Sequence, residues 1–230
     1  MEIINTQEIW PIVHGEALDV HSIFPTIQGE GPFAGHPAIF IRLAGCNLKC
    51  PQCDTEYTDG AEKMEPEAIL DAILDMAHEE RLVVITGGEP FRQDIAALCH
   101  TLLDARFQVQ IETNGTLYRR DLPYDRLTIV CSPKTGRVSG SLEKHITAYK
   151  YVCDANSLNT DEGLPVRALR HSAYPILARP HRGFKGPVYV QPLDEQDPEK
   201  NARHTRATIQ SAVENGYIFC LQVHKFIEMP

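Results

Sequence analysis

Three of the chain's seven cysteines, Cys46, Cys50 and Cys53, crowd into the stretch CNLKCPQC. That spacing brings three thiols within reach of one metal centre. A closed structural zinc site needs a fourth Cys or His. The nearest downstream candidate is His78, so a distant His14, His21 or His224 would have to complete it. A 4Fe-4S cluster held by three thiolates instead keeps one iron open to a ligand. Three unrelated thiols are the bland alternative, and the cysteines alone leave all three readings standing.

Two further segments carry chemistry. In Gly87-Gly88-Glu89-Pro90 the paired glycines let a ligand approach the backbone closely, and Glu89 with the neighbouring carbonyls can accept from an ammonium group. The same residues also make an ordinary strand-to-helix turn, with Pro90 opening the helix. Phe24-Pro25-Thr26-Ile27-Gln28-Gly29-Glu30-Gly31 sets an amide, a carboxylate and glycines side by side, suited to lying against a flat, hydrogen-bonding heterocycle. Its plainer reading is a hairpin-like turn with solvated polar tips.

The elements that must position these residues follow from apolar runs and turn signals. Strands are expected at 37–44, 82–85, 107–112, 127–131, 149–153, 188–191 and 217–223, and helices at 66–80, 92–105, 164–171 and 198–215. Strands alternating with amphipathic helices imply right-handed crossovers and a mainly parallel α/β sheet. CNLKCPQC, GGEP, ETNG, SPK and QPLD each fall just past a strand's end, the edge where such folds gather one site. A single domain over 1–230 is expected, with 1–20 as an extension of unassigned role. Cys99, Cys131, Cys153 and Cys220 fall inside elements and read as small buried hydrophobes.

A net charge of −9 and a pI near 5.5 disfavour nucleic acid and anionic membranes as partners, which leaves a small molecule or a protein. MEIINTQEIW lacks both a basic start and an apolar run, so it is no secretory signal, and no stretch reads as membrane-spanning. A cytoplasmic location is expected.

CxxxCxxC resembles the signature of the radical S-adenosylmethionine (SAM) superfamily, with Gln52 where its members place an aromatic residue. The resemblance implies a partial, mainly parallel (β/α) barrel and a 4Fe-4S cluster on Cys46, Cys50 and Cys53. The open iron would chelate SAM, and reductive cleavage would give a 5'-deoxyadenosyl radical. The set FxTxQGEG, Arg42, CxxxCxxCDT, TGGEP, ETNGT, SPK, QPLD and a terminal VHKFIEMP is more specifically similar to the 7-carboxy-7-deazaguanine synthase family, from about residue 24 to the end. That likeness implies ring contraction of 6-carboxy-5,6,7,8-tetrahydropterin, with loss of ammonia, in queuosine and 7-deazapurine synthesis. It further implies SAM contacts from Gly87, Gly88, Glu89, Gly115, Ser132, Pro133, Lys134, Gln191, Pro192, Leu193 and Asp194. Substrate contacts would come from Ile27, Gln28, Gly29, Glu30, Arg42, Thr113, His224 and the carboxylate of Pro230, and Thr55 would bind Mg2+. A homodimer and an electron donor such as flavodoxin are implied as well. Rival readings are another radical SAM enzyme such as a glycyl-radical activase, a zinc-binding module, and a cluster-bearing scaffold without turnover.

Overall fold

The computed structural model describes residues 5–78, 81–171, 173–174 and 176–227. Short runs rich in Ile and Val build the parallel strands β2 (Pro37–Leu43), β4 (Leu82–Gly87), β5 (Gln108–Thr113), β6 (Leu127–Cys131), β7 (Ala148–Cys153), β8 (Val188–Pro192) and β9 (Ile218–Phe219). They neighbour one another in chain order, so the sheet curls in one sense. At one edge the antiparallel strands β1 (Leu18–Ile27) and β3 (Glu62–Met64) complete the order β3-β1-β2-β4-β5-β6-β7-β8-β9. The terminal strands β3 and β9 do not pair, which leaves the barrel open.

Alternation along the strands decides what each face does. Ile39, Ile41, Val83, Ile85, Val109, Ile111, Ile129, Tyr149, Tyr151 and Val190 form the main core. Against them pack α1 (Pro66–Met76) through Ile69 and Ile73, α2 (Ala96–Asp104) through Leu98 and Leu102, α3 (Gly140–Glu143) through Leu142 and α4 (Pro198–Asn215) through Ala212. The intervening residues, which share registers across the sheet, are Phe40, Arg42, Thr86, Gln110, Glu112, Lys150, Val152 and Gln191. A parallel sheet covered on both faces has apolar strands throughout. Here the second face is polar because it walls a cavity.

Helix ends follow local chemistry. Pro66 starts α1, while α4 opens on Asp197, which accepts from Glu199 N and Lys200 N, and closes on left-handed Gly216. Where a helix was expected from residue 92, the Glu89 side chain instead caps a 3-10 turn, Pro90–Arg92, and α2 begins only at Ala96. The apolar spacing over 164–171 does not make a helix: Leu169 and Arg170 have positive φ. The last expected strand shortens to β9, and Val223–Phe226 forms a helical turn, α5. Strand β1 was hidden by Pro25. Because β3 pairs only with Leu18–Val20, the missing N–H at Pro25 costs no ladder bond. No helix among the described residues is long and apolar enough to cross a membrane.

Candidate active site

The loops beyond β2, β4, β5, β6 and β8 converge on a cavity of about 380 Å³. Cys46 and Cys50 are buried, Cys53 is half-buried, and all three line it beside Leu48 and Tyr57. Burial, with Glu89 adding to it, pushes the Cys46 thiol up to about 12; burial also raises Cys50, and lifts Cys53 to about 11. A bound cation would displace those protons. Among the described residues no three His, Cys, Asp or Glu side chains converge as ligands of a single ion. Three thiolates would hold an iron–sulfur cluster with one iron open to a ligand, whereas a closed structural zinc site needs a fourth protein ligand.

The cysteine loop is moored by backbone. Gly45 N donates to Tyr57 O at 2.9 Å, Glu89 N to Gly45 O at 3.0 Å and Gly88 N to Leu43 O at 3.1 Å. A Cβ on Gly87 would run into the Leu43 backbone, and one on Gly88 into that of Gly45. These glycines are therefore required by the loop's approach as well as by any ligand. Glu89 is fully buried behind the cavity wall. Its Oε1 accepts from Thr113 Oγ1 at 2.7 Å and Phe91 N at 3.0 Å, and its Oε2 from Asn114 N at 2.7 Å. Burial outweighs these donors and keeps its pKa raised. Glu89 thus buckles GGEP to ETNG, and the Thr113 hydroxyl, though at the cavity, is engaged with it.

A charge cluster also lines the cavity. Lys150 Nζ contacts Glu30 Oε2 and lies 2.6 Å from Glu112 Oε2. Glu30 Oε1 accepts from Gln222 at 2.8 Å and Gln191 at 3.2 Å, and Glu112 Oε1 from Gln110 at 3.0 Å and Gln28 at 3.1 Å. Burial alone would raise Glu30, but the Lys150 ammonium overrides it and holds the carboxyl at about 2. Burial acts to lower Lys150, yet Glu112 and Glu30 together raise it well above the usual lysine range. Glu30 is an anion at neutral pH, set to accept N–H donors. Burial lowers His224, which keeps it neutral there.

Arg42 projects into the same cavity with its guanidinium 5.1 Å from the Phe24 ring centroid and a buried Nε that has no hydrogen-bond partner among the described residues. Of the other residues expected to act, Gln28, Thr55, Ser132, Lys134, Leu193 and Asp194 line the cavity. Lys134 Nζ folds back onto Ser132 Oγ at 2.6 Å, and Thr55 Oγ1 lies 3.5 Å from Asp54 Oδ1. Several others stand one layer back. Ile27 ends β1, Pro192 ends β8, and Pro133 links Ser132 to Lys134. Gly115 backs onto Cys131, and a Cβ on Gly29 would overlap His224 Nδ1. Gln28 and Glu30 are buried in this wall, where the plain-turn reading had solvated tips. Pro230 lies outside the described residues.

The radical SAM superfamily model matches residues 40–143, the stretch that holds the cysteine loop, GGEP, ETNG and SPK. A 7-carboxy-7-deazaguanine synthase of Rhodospirillum rubrum is 42% identical over 224 residues, covering 94% of both chains. The chain belongs to the 7-carboxy-7-deazaguanine synthase family. A second relative with that description, from Rickettsia prowazekii, is also 42% identical, over 93% of this chain and 89% of its own. The crystal structure of QueE from Escherichia coli aligns with a TM-score of 0.67 at 24% identity, over 89% of this chain and 93% of that one, and shares the fold. Membership in this radical SAM family implies a 4Fe-4S cluster and SAM as cofactors.

Lys150, Glu112 and Gln222 escaped the sequence reading. A signal for the first two was present: charged and amide residues alternate with apolar ones in QVQIET and AYKYVC, which a fully covered parallel sheet does not tolerate.

Proposed function

We propose that the cavity performs the synthase reaction, contracting 6-carboxy-5,6,7,8-tetrahydropterin to 7-carboxy-7-deazaguanine with loss of ammonia. The observation that carries this is the meeting, in one cavity, of three neighbouring thiols with a charged, amide-rich lining. Cys46, Cys50 and Cys53 would hold the cluster, which with SAM supplies hydrogen-atom abstraction when bound. Gly87, Gly88, Ser132, Lys134, Gln191, Leu193 and Asp194 line the same cavity as the thiols and would receive SAM, with Pro192 one layer back.

The chain's own residues orient the substrate. Glu30 as an anion, Gln28 and neutral His224 offer acceptors and donors to the edge of a pterin. Arg42, whose Nε has no partner among the described residues, suits the 6-carboxylate through a planar fork. Burial of Glu30, Lys150 and Gln191 keeps the wall dry and fixed, so substrate meets a preformed pattern. Thr55 borders the cavity and would present its hydroxyl to Mg2+, an oxygen-seeking ion that can also engage the carboxylate. A one-electron donor such as flavodoxin and assembly as a homodimer complete the proposal.

The test is anaerobic turnover of reconstituted, reduced protein with SAM, Mg2+ and the carboxypterin, read by mass for the deazapurine. SAM cleavage without that product would reassign the substrate. Thr55→Ala should weaken Mg2+ stimulation while leaving iron content intact; unchanged magnesium dependence removes Thr55 from the metal site.

A further inference from the structure

The N-terminal segment, to which the sequence reading assigned no role, lies along the cysteine loop. Asn5 and Gln7 are half-buried against the loop, while Thr6 and Glu8 are exposed, Glu8 Oε1 accepting from the loop's Lys49 Nζ at 3.1 Å. Asn5 N donates to Pro51 O at 2.9 Å and its Nδ2 to Cys50 O at 3.0 Å. Gln7 Nε2 donates to Thr55 O at 2.8 Å, while Gln7 Oε1 accepts from Tyr57 N at 2.9 Å. Trp10 N donates to Cys46 O at 2.8 Å, and Ile9 bridges Cys46 in parallel. The segment thus grips the loop at Cys46, at Cys50 and on both sides of Thr55, just beyond Cys53. Asn5 Oδ1 in turn accepts from Gln7 N at 2.9 Å, which fixes the pair to each other. Trp10 closes the end of the run, 5.3 Å from the Arg92 guanidinium.

The loop has little of its own to hold it. Residues 46–57 form no helix or extended strand, and one short backbone bond inside the thiol stretch joins Cys53 N to Cys50 O at 3.2 Å. From the other side Asn47 bonds Thr116 Oγ1 at 2.9 Å and Asn114 Nδ2 at 3.0 Å. Without residues 5–10 the carbonyls of Cys50, Pro51 and Thr55 would lose these donors, and the half of the loop bearing Cys50 and Cys53 would keep Lys225 Nζ on Asp54 Oδ2, at 2.8 Å, as its side-chain tie.

We propose that residues 5–10 are a clasp that fixes the cysteine loop in its ligating shape, with Gln7 as the positioning residue for the Cys53–Thr55 side. Groups that orient ligands and control solvent access set metal affinity and reduction potential. This rests on the reading of Cys46, Cys50 and Cys53 as cluster ligands, and the experiment separates the two.

Full-length wild type, Asn5→Ala/Gln7→Ala, Gln7→Glu, the exposed control Thr6→Ala and Cys50→Ala are reconstituted anaerobically. Iron and sulfide content, the rate of cluster loss to EDTA, the midpoint potential, and the electron paramagnetic resonance spectrum of the reduced protein with SAM are recorded. The double variant should keep its apo secondary structure but lose its cluster roughly tenfold faster or more, as expected for several lost hydrogen bonds. Its midpoint potential and SAM-dependent spectrum should shift as well. Gln7→Glu, which keeps the acceptor for Tyr57 N and loses the donor to Thr55 O, should fall between the two, and Thr6→Ala should match wild type. If the double variant fails to fold, Gln7→Glu carries the decision alone. Wild-type rates and spectra in the Gln7 variants, with Cys50→Ala unable to keep a cluster, would overturn the clasp and spare the thiol assignment. Wild type that takes up no iron would overturn both.

Discussion

Lys150→Met removes the ammonium lodged between Glu30 and Glu112 while keeping most of the side-chain stem. The side chains of Lys150, Glu30 and Glu112 are 5%, 11% and 17% exposed, so solvent screens them little. The fall of Glu30 from 4.5 to about 2 corresponds to about 3 kcal/mol. That agrees with the roughly 3–5 kcal/mol lost when one partner of a buried ion pair is removed. Urea unfolding of the reduced apoprotein at about pH 7.5 should therefore show a loss of about 3 kcal/mol. In the wild type the folded Glu30 pKa lies below its unfolded value. Its stabilisation is therefore complete above about pH 4.5 and fades as pH falls toward about 2. In the variant, burial without a counter-ion raises the carboxyl instead, so stability is lost as pH rises through that raised value. The gap between the two proteins should then narrow on acidification from about pH 8 to about pH 5. Adding Glu30→Gln to Lys150→Met should restore part of the loss. A variant within about 1 kcal/mol of wild type, or a gap that widens on acidification, would refute the charge-cluster reasoning.

Two other substitutions probe the cavity walls. Gly29→Ala should push His224 from its seat and raise KM for the carboxypterin about tenfold, equivalent to roughly 1.4 kcal/mol of binding, with iron content unchanged. A KM equal to wild type would show that His224 does not read the substrate. Glu89→Ala strands the donors of Thr113, Asn114 and Phe91 and should cost about 3 kcal/mol or more by denaturant unfolding. A small loss there would mean that the buckle between GGEP and ETNG is not what holds those loops.

The sequence by itself determined which chemistry is present and which edge of the sheet it occupies. Cys46, Cys50 and Cys53, Gly87-Gly88 and the strand-ending motifs are local signals: turn residues stop strands, and a parallel α/β chain delivers every such stop to one rim. Helices α1 and α4 were legible for the same reason, since Pro66, Asp197 and Gly216 act within a turn of their own positions. Tertiary structure alone decided the rest. Strand β1 continues past Pro25 because β2 pairs with it there, and the stripe over 164–171 yields to Arg170, whose guanidinium bonds Glu195 at 2.8 Å. Glu30 meets Lys150 across 120 positions, and Gln7 meets Thr55 across 48. No local pattern encodes such partners: a carboxylate or an amide shows its chemistry in sequence, but its charge state and orientation come from whatever the fold packs against it.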